Sequence, residues 1–581
     1  MSGLFRATVV LSLLVSVSPA SAQSSSSAQA PAQPLDPKSA LLAALPAAAP
    51  GWVADRGAPA MDSLIATQEA KLVASDAAPL DRFGFTVAVS GDTAVVGATR
   101  DNHNGIIDAG AAYVFVRSGT TWSQQFKVTA ADGQAFDNFG CAVALSGDTL
   151  VVGSYLDDNP GGNDAGAAYV FVRSGVTWSQ QAKLLAPDST DNSEFGYSVG
   201  LSGDTALVGA FGQPVGGGLD TGAAYVFVRD GTAWSLQSEL TASDAAAGDK
   251  FGFAATLSGD TAVVGAFAND NAGVTNAGAV YVFVRNGTDW SEQAKLTASD
   301  GATNDYLGWS VALSGDTVVA GASQDDNAGG VNAGSACVFV RSGTRWDQEA
   351  RLIAGDAAPE CAFGWSVAVD GDTAVVGAAL DSHTIGHAAG SAYVFTRSRG
   401  AWSQDTKVLA SDEAANDEFG FASALSGDTA IISGVANDNT GGADAGSAYV
   451  FRLHGPTPTW TDLGLGLAGV SGVPALAGTD TLQSGSPGTL TLGNSAVSSL
   501  AMLFVSFAST PVPFKGGTLV PFPFALLVVL GTDGTGALPL GWDAWPAGFP
   551  SGSLLFFQYA LQDAAGPFGV AMSNALQAST P

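Results

Sequence analysis

The tripeptide Gly-Asp-Thr recurs seven times at one fixed interval: its aspartates fall at Asp92, Asp148, Asp204, Asp260, Asp316, Asp372 and Asp428, each 56 positions after the last. A chain that repeats itself at constant period is built from copies of one supersecondary unit, and such units bury their apolar faces only against each other. Within one copy, Phe83 to Ser90 and Thr93 to Ala98 are β-rich runs joined by Gly91-Asp92, the pattern of a tight hairpin. A polar Asp/Asn/Gly loop then leads to Ala111 to Arg117, and Ser118-Gly119-Thr120 turns the chain into Trp122 to Thr129. In the third run Tyr113 and Phe115 alternate with Val114 and Val116, so both faces are apolar, as a sheet packed between two neighbours requires. Four-stranded antiparallel sheets repeated seven times predict an all-β fold, a seven-bladed β-propeller.

The phase of the repeat predicts how the ring shuts. The first recognisable piece, Gln68 to Asp76, lies one period before the fourth strand around Lys127, and the array ends on a third strand at Tyr449 to Phe451. Pro458 stands where the next fourth-strand tryptophan belongs, and Trp460 falls two residues late. The N-terminal strand is therefore expected to complete the seventh blade and leave no open sheet edge.

These residues resemble the FG-GAP repeats of the integrin α-subunit β-propeller and its bacterial relatives. Phe83-Gly84, Phe139-Gly140, Phe195-Gly196, Phe251-Gly252, Phe363-Gly364 and Phe419-Gly420 match the Phe-Gly element, with Leu307-Gly308 the departure; Gly97-Ala98 and Gly265-Ala266 match the Gly-Ala element. The resemblance covers about Thr67 to Leu453 and implies a scaffold for recognition. In integrin-type repeats the first hairpin often carries an Asp-rich calcium loop. Here it is Ser-Gly-Asp-Thr, as at Ser146 to Thr149, and one carboxylate cannot supply the six to eight oxygens calcium takes, about the usual number. That aspartate is read instead as capping its turn and pairing with the arginine that ends the third strand: Arg117, Arg173, Arg229, Arg285, Arg341 and Arg397.

Outside the repeats the chain changes character. Residues 1–22 read as a signal peptide, an apolar run from Ala7 to Val17 followed by a small-residue cleavage pattern ending at Ala22. Residues 23–63 are an Ala/Ser/Pro-rich flexible linker, 64–455 the propeller, and 460–581 a small β-sandwich. The apolar stretches of that last part are too short and too broken for a membrane span. The mature protein is thus expected to be secreted or held at the cell surface, as a monomeric propeller. Three cysteines, Cys141, Cys337 and Cys361, imply no disulfide framework; a Cys337–Cys361 bridge and independent buried thiols both fit the spacing. A net charge of −31 opposes nucleic acid and anionic lipid, leaving cations or basic partners open.

The loops between second and third strands gather oxygen donors: Asp157-Asp158-Asn159 with Asp164, Asp270, Asp325-Asp326, and Asp438. Hard-cation binding, calcium above all, and plain Asx-turn chemistry both account for them. The sixth blade instead carries Asp381, His383 and His387 in this loop, a transition-metal ligand set without fixed geometry. No nucleophile elbow, zinc-protease helix or phosphate loop appears. The chain is read as a non-catalytic recognition or adhesion protein binding extracellular protein or glycan through its acidic loop face. The alternatives are a secreted polysaccharide-acting enzyme using a carboxylate such as Asp381 or Glu360, and a structural envelope component.

Overall fold

Each repeat folds as a four-stranded antiparallel sheet because its apolar alternation, two-residue turns and glycines all favour the same register. In the first blade the strands are Phe83–Ser90, Thr93–Ala98, Ala111–Ser118 and Thr121–Val128, paired in sequence order. Ser90 pairs with Thr93 across the Gly91-Asp92 turn, and Gly91 takes the left-handed φ of +56° that this turn needs. The computed structural model describes residues 64–454 apart from 384, and the stretches 460–464, 473–479, 488–493, 495, 499–506, 509–514, 517–521, 526–533, 537–542, 554–563 and 570–579. The signal segment and the whole linker assigned from sequence, residues 1–63, lie outside the described residues.

The chain divides into two compact units, one of them Arg56–Thr457. This unit contains seven four-stranded sheets. The last is closed as the phase predicts: Ile65–Leu72 pairs with Ser447–His454, Lys71 opposite Tyr449. The other unit holds, among its described residues, a six-stranded, a three-stranded and a two-stranded antiparallel sheet, the largest centred on Leu500–Ser506 and Leu554–Gln562.

The core of the propeller lies between blades. Val95 and Val114 of the first blade pack with Phe139, Tyr169 and Phe171 of the second, and the same layer recurs around the ring. Within each layer the Phe of Phe-Gly meets the third-strand aromatics edge-on, as Phe139 meets Tyr169 at 5.5 Å and Phe171 at 6.0 Å. The backbones themselves touch. A Cβ on Gly97 would lie 2.0 Å from the Gly140 carbonyl oxygen, and one on Gly153 would lie 1.9 Å from that of Gly196. The loops interlock at the same junctions, Phe139 N donating to Ala109 O at 3.0 Å and Phe83 N to Ala445 O at 3.0 Å.

On the hairpin face the expected Asp/Arg pairs form and reach further than the sequence indicated. Arg173 Nε donates to Asp148 Oδ1 at 2.6 Å, while its Nη1 donates to Thr93 Oγ1 of the preceding blade at 3.0 Å. Its guanidinium also lies over the Trp178 ring, 5.3 Å from the centroid. Five further arginines repeat this staple, one of them Arg117, which carries it across the closing seam to Thr429. All three cysteines are buried free thiols.

Two predictions follow from the junctions. Gly153→Ala should cost about 3 kcal/mol or more in chemical denaturation, because backbone must move to admit the methyl. Gly147→Ala, at φ +57° with open space around it, should cost only about 1 kcal/mol. Deleting residues 65–72 strips the closing strand from the last blade, and light scattering should then show association that the intact chain lacks.

Candidate functional site

The residue after each Phe-Gly, or after Leu307-Gly308 in the fifth blade, faces the ring's centre, and in six copies it is aromatic: Phe85, Tyr197, Phe253, Trp309, Trp365 and Phe421. Closure brings these positions, 56 residues apart in sequence, into ring contact. Phe85 and Phe421 lie 5.4 Å apart, Phe421 and Trp365 5.7 Å, Trp365 and Trp309 5.1 Å, Trp309 and Phe253 4.9 Å, Phe253 and Tyr197 4.8 Å. The second blade has Cys141 here, its buried thiol turned to the Gly196 carbonyl at 3.4 Å. Burial pushes that thiol up to about 12, so it is no nucleophile at neutral pH.

A second tier covers only one side. Tyr155, Phe211 and Phe267 directly follow the second strands of blades two, three and four, Thr149–Ser154, Thr205–Ala210 and Thr261–Ala266, where other blades carry Thr99, Ser323, Ala379 or Val435. Tyr155 meets Tyr197 at 5.3 Å, Phe211 meets Tyr197 at 4.6 Å, and Phe267 meets Phe253 at 4.5 Å. All these rings are half-buried, so the collar keeps aromatic surface exposed. Beneath it lies a cavity of about 270 Å³ walled by first-strand residues such as Val87, Val199, Leu257, Val311 and Leu425; Thr256 and Ser423 are its polar side chains.

The residue before each Phe-Gly forms the rim. Arg82, Asn138, Glu194, Lys250, Tyr306, Ala362 and Glu418 all have φ between +52° and +60°. The backbone is thus the same strained turn seven times, while the side chain changes between adjacent blades and only glutamate occurs twice. Lys250 Nζ lies 4.9 Å over the Phe211 ring and pairs with Asp220 at 2.9 Å. Tyr306 meets Phe267 at 5.5 Å. Burial raises the Glu194 carboxyl to about 7, with Lys250 opposing and Asp220 and Asp164 reinforcing the shift. Its Oε2 is buried without a hydrogen-bond donor. Glu418 is likewise raised by burial, against the pull of Arg82. Exposed aromatic surface ringed by a few polar groups suits a ligand with a flat, partly apolar face and hydrogen-bonding edges.

This collar was missed in the sequence, where its members look like ordinary strand alternation. The loop residues proposed there lie on the same face, since the second-to-third-strand loops bond directly to the segments entering the first strands. Their oxygens are divided between two tasks. Asp157 is buried and accepts from Tyr169 at 2.7 Å and Lys183 at 3.0 Å, and Asp325 accepts from Arg351. Asp158, Asp270, Asp326 and Asp438 accept backbone N–H groups within their own loops, the first from Asp164 at 2.9 Å. Asn159 accepts from Gly161 N and donates to Gly166 O. Among the described residues no three His, Cys, Asp or Glu side chains converge as a metal would need. His383 and His387 diverge: the first approaches Gly390 O and Glu413, the second Asn416. His383 holds the place of Asn159 and Asn327, whose amides bond the equivalent glycine carbonyls. Glu360 accepts from Asn332 on an exposed loop. Burial of Asp381 opposes its charge, but Lys407 at 2.8 Å and Ser391 outweigh it and hold the carboxyl below its ordinary value.

The fold and the mouth together define a seven-bladed β-propeller with one aromatic-lined opening. The chain belongs to the FG-GAP repeat family, whose sequence profile matches residues 66–115, 122–171, 178–227, 234–283, 290–339, 346–395 and 402–451, together more than half of its length. Each matched segment runs from a fourth strand through the next third strand, the phase that the closing strand shows. No curated protein matches the chain. Among solved structures it is similar to the Pseudomonas aeruginosa periplasmic gluconolactonase PpgL, at 13% identity and a TM-score of 0.37, over 57% of this chain and 86% of that one, a likeness too slight to bear on fold or activity.

The carboxyls also set a pH dependence. Burial raises Asp81 and Asp137 to about 6 against the help of one backbone N–H each. Folded carboxyls raised above their unfolded value bind protons first, so their contribution is fully present below about pH 4 and is lost as pH rises through 6 to 7. Asp76, Asp132, Asp244, Asp356 and Asp412 are shifted the other way: burial opposes their charge but is outweighed by lysine and tyrosine, and their contribution is lost only below about pH 4. The melting temperature should therefore be higher near pH 5 than near pH 8, by about 2 to 4 °C in scanning calorimetry, and the difference should shrink in Asp81→Asn/Asp137→Asn.

Proposed function

We propose that this is a secreted or cell-surface recognition protein that binds an extracellular protein or glycan through the acidic loop face of the propeller, with the aromatic mouth as the centre of contact. One observation carries the reading: in seven nearly identical copies, differences concentrate at the mouth, at the residue after Phe-Gly, the residue that follows the second strand, and the rim. The opposite face repeats its Asp, Arg and Thr almost unchanged. A scaffold alone has no use for such differences, whereas a ligand without sevenfold symmetry requires them. The apolar leader at the N-terminus supports export, and among the described residues no helix is long and apolar enough to cross a membrane.

A second reading, an enzyme acting on polysaccharide, draws on Glu194, whose carboxyl at about 7 is suited to general acid work. Such chemistry uses two carboxyl groups, and the acidic neighbour Asp220 is tied to Lys250. A glycan and matrix-protein array with product analysis separates the readings. Saturable retention without turnover, weakened at least about tenfold in Trp309→Ala and Trp365→Ala, supports recognition. Shortened product that disappears in Glu194→Gln overturns it in favour of the enzyme.

A further inference from the structure

One blade in seven breaks a charge pattern. In the first blade Lys127 Nζ sits between Asp76, 2.7 Å away, and Asp101, 2.9 Å away, and the Tyr113 hydroxyl bonds to both carboxylates. The ion pairs recur with Lys183 between Asp132 and Asp157, Arg351 between Asp300 and Asp325, and Lys407 between Asp356 and Asp381, the fifth blade carrying Cys337 in place of the tyrosine. Blades four and seven replace the second carboxylate by an amide, and the ammonium still binds there: Lys295 donates to Asn269 Oδ1 and Lys71 to Asn437 Oδ1, each at 2.8 Å.

The third blade also has an amide at this place, Gln213, but its fourth strand carries Glu239 where the other six carry Lys or Arg. Glu239 stands opposite Tyr225 in the register that sets Lys183 opposite Tyr169. The Tyr225 hydroxyl donates to Asp188 at 2.8 Å, and Gln213 Nε2 donates to the Asp188 carbonyl at 3.0 Å, which fixes the amide's orientation. Gln213 is only 2% exposed, and its Oε1, the counterpart of the oxygen that takes the lysine in blades four and seven, accepts no hydrogen bond. A buried carbonyl oxygen without a donor forfeits the hydrogen bonds it would make in water and gains none in exchange. Burial and the Asp188 charge both raise the Glu239 carboxyl, as two acids approaching one another require.

We propose that the third blade binds a divalent cation, calcium by its all-oxygen donor set, through Asp188, Gln213 Oε1 and Glu239, in the place that a lysine or arginine fills in every other blade. The charge selects the valence. In blades four and seven a lysine answers one aspartate directly, and the amide nitrogen is held by a second, Asp249 or Asp417, so one negative charge is left over; in the third blade Ser193 stands in that second place, and Asp188 and Glu239 carry two negative charges with no cation between them, which a divalent ion cancels and a monovalent ion does not. Two carboxylates and one amide supply fewer oxygens than the six to eight calcium takes, about the usual number, so water completes the shell and the affinity falls at the weak, extracellular end, on the order of 10⁻⁴ to 10⁻³ M. None of the acidic loop residues Asp157, Asp158, Asp270, Asp325, Asp326 or Asp438 takes part.

The test compares the full chain with Glu239→Lys and Glu239→Gln, in thermal unfolding with millimolar calcium chloride against chelator and in terbium luminescence excited through tyrosine. The wild type should melt about 1 to 2 °C higher with calcium and show saturable terbium emission that calcium displaces. Glu239→Lys should melt higher than the wild type in chelator and lose both responses, because its ammonium occupies the site. Glu239→Gln should lose both responses without that gain, which separates site loss from misfolding. A wild type indifferent to calcium, or calcium responses unchanged in both variants, overturns the proposal.

Discussion

Neighbouring blades meet backbone to backbone, and the rest of the propeller depends on that approach. Gly97 against Gly140 and Gly153 against Gly196 leave no room for a side chain. The ladder of the first hairpin slips at the same place, between Phe83 and Thr86, where Gly84 stands at φ +99°. The slip turns the phenylalanine into the interblade layer and lets the next carbonyl approach its neighbour. The Phe-Gly and Gly-Ala elements are therefore two halves of one contact, made between successive blades. At the closing seam the rule relaxes: Ser433 replaces the glycine, and a Cβ on Gly84 would lie 2.9 Å from the Ser433 Cβ. That junction joins the two ends of the array, where Ile65–Leu72 restores by hydrogen bonding the continuity that the chain itself lacks.

Because these contacts fix the position of every first strand, the residues just inside them face a common centre without further support. The collar costs the fold little: each aromatic occupies a position that any side chain of similar size would fill. The chemistry of the mouth is thus free to differ from blade to blade. The arginine staples of the opposite face have no such freedom, since each binds its own hairpin and its neighbour's threonine. Individually they are worth little, because Asp148 and its equivalents are mostly exposed. Their repetition holds the hairpins in one plane.

What periodicity encodes was legible in the sequence. The number of blades, the strand boundaries, the closing strand and the Asp/Arg pairs all recur, and each copy confirms the others. What distinguishes copies was not. Phe85, Tyr197 and Trp309 satisfy strand alternation whether or not they meet, and only ring closure shows that they do. The partners of the loop acids were hidden for a related reason: Asp158 and Asp326 read as oxygen donors in the sequence, and only the fold shows that each accepts a backbone N–H, from Asp164 and Asn332. The replacement of a lysine by Glu239 was visible as a departure from the repeat, but its meaning depends on Gln213 and Asp188, which lie 26 and 51 residues away in sequence.

The central claim is that the differences between copies at the mouth are the functional part of the molecule. The most direct measurement is ligand retention by a chain in which Arg82, Glu194, Lys250 and Glu418 are all changed to the alanine that Ala362 already supplies, with circular dichroism and melting recorded alongside. Fold and melting temperature kept within a few degrees with retention lost is the predicted result. Retention at the wild-type level in that folded chain would contradict the claim and move recognition away from the mouth.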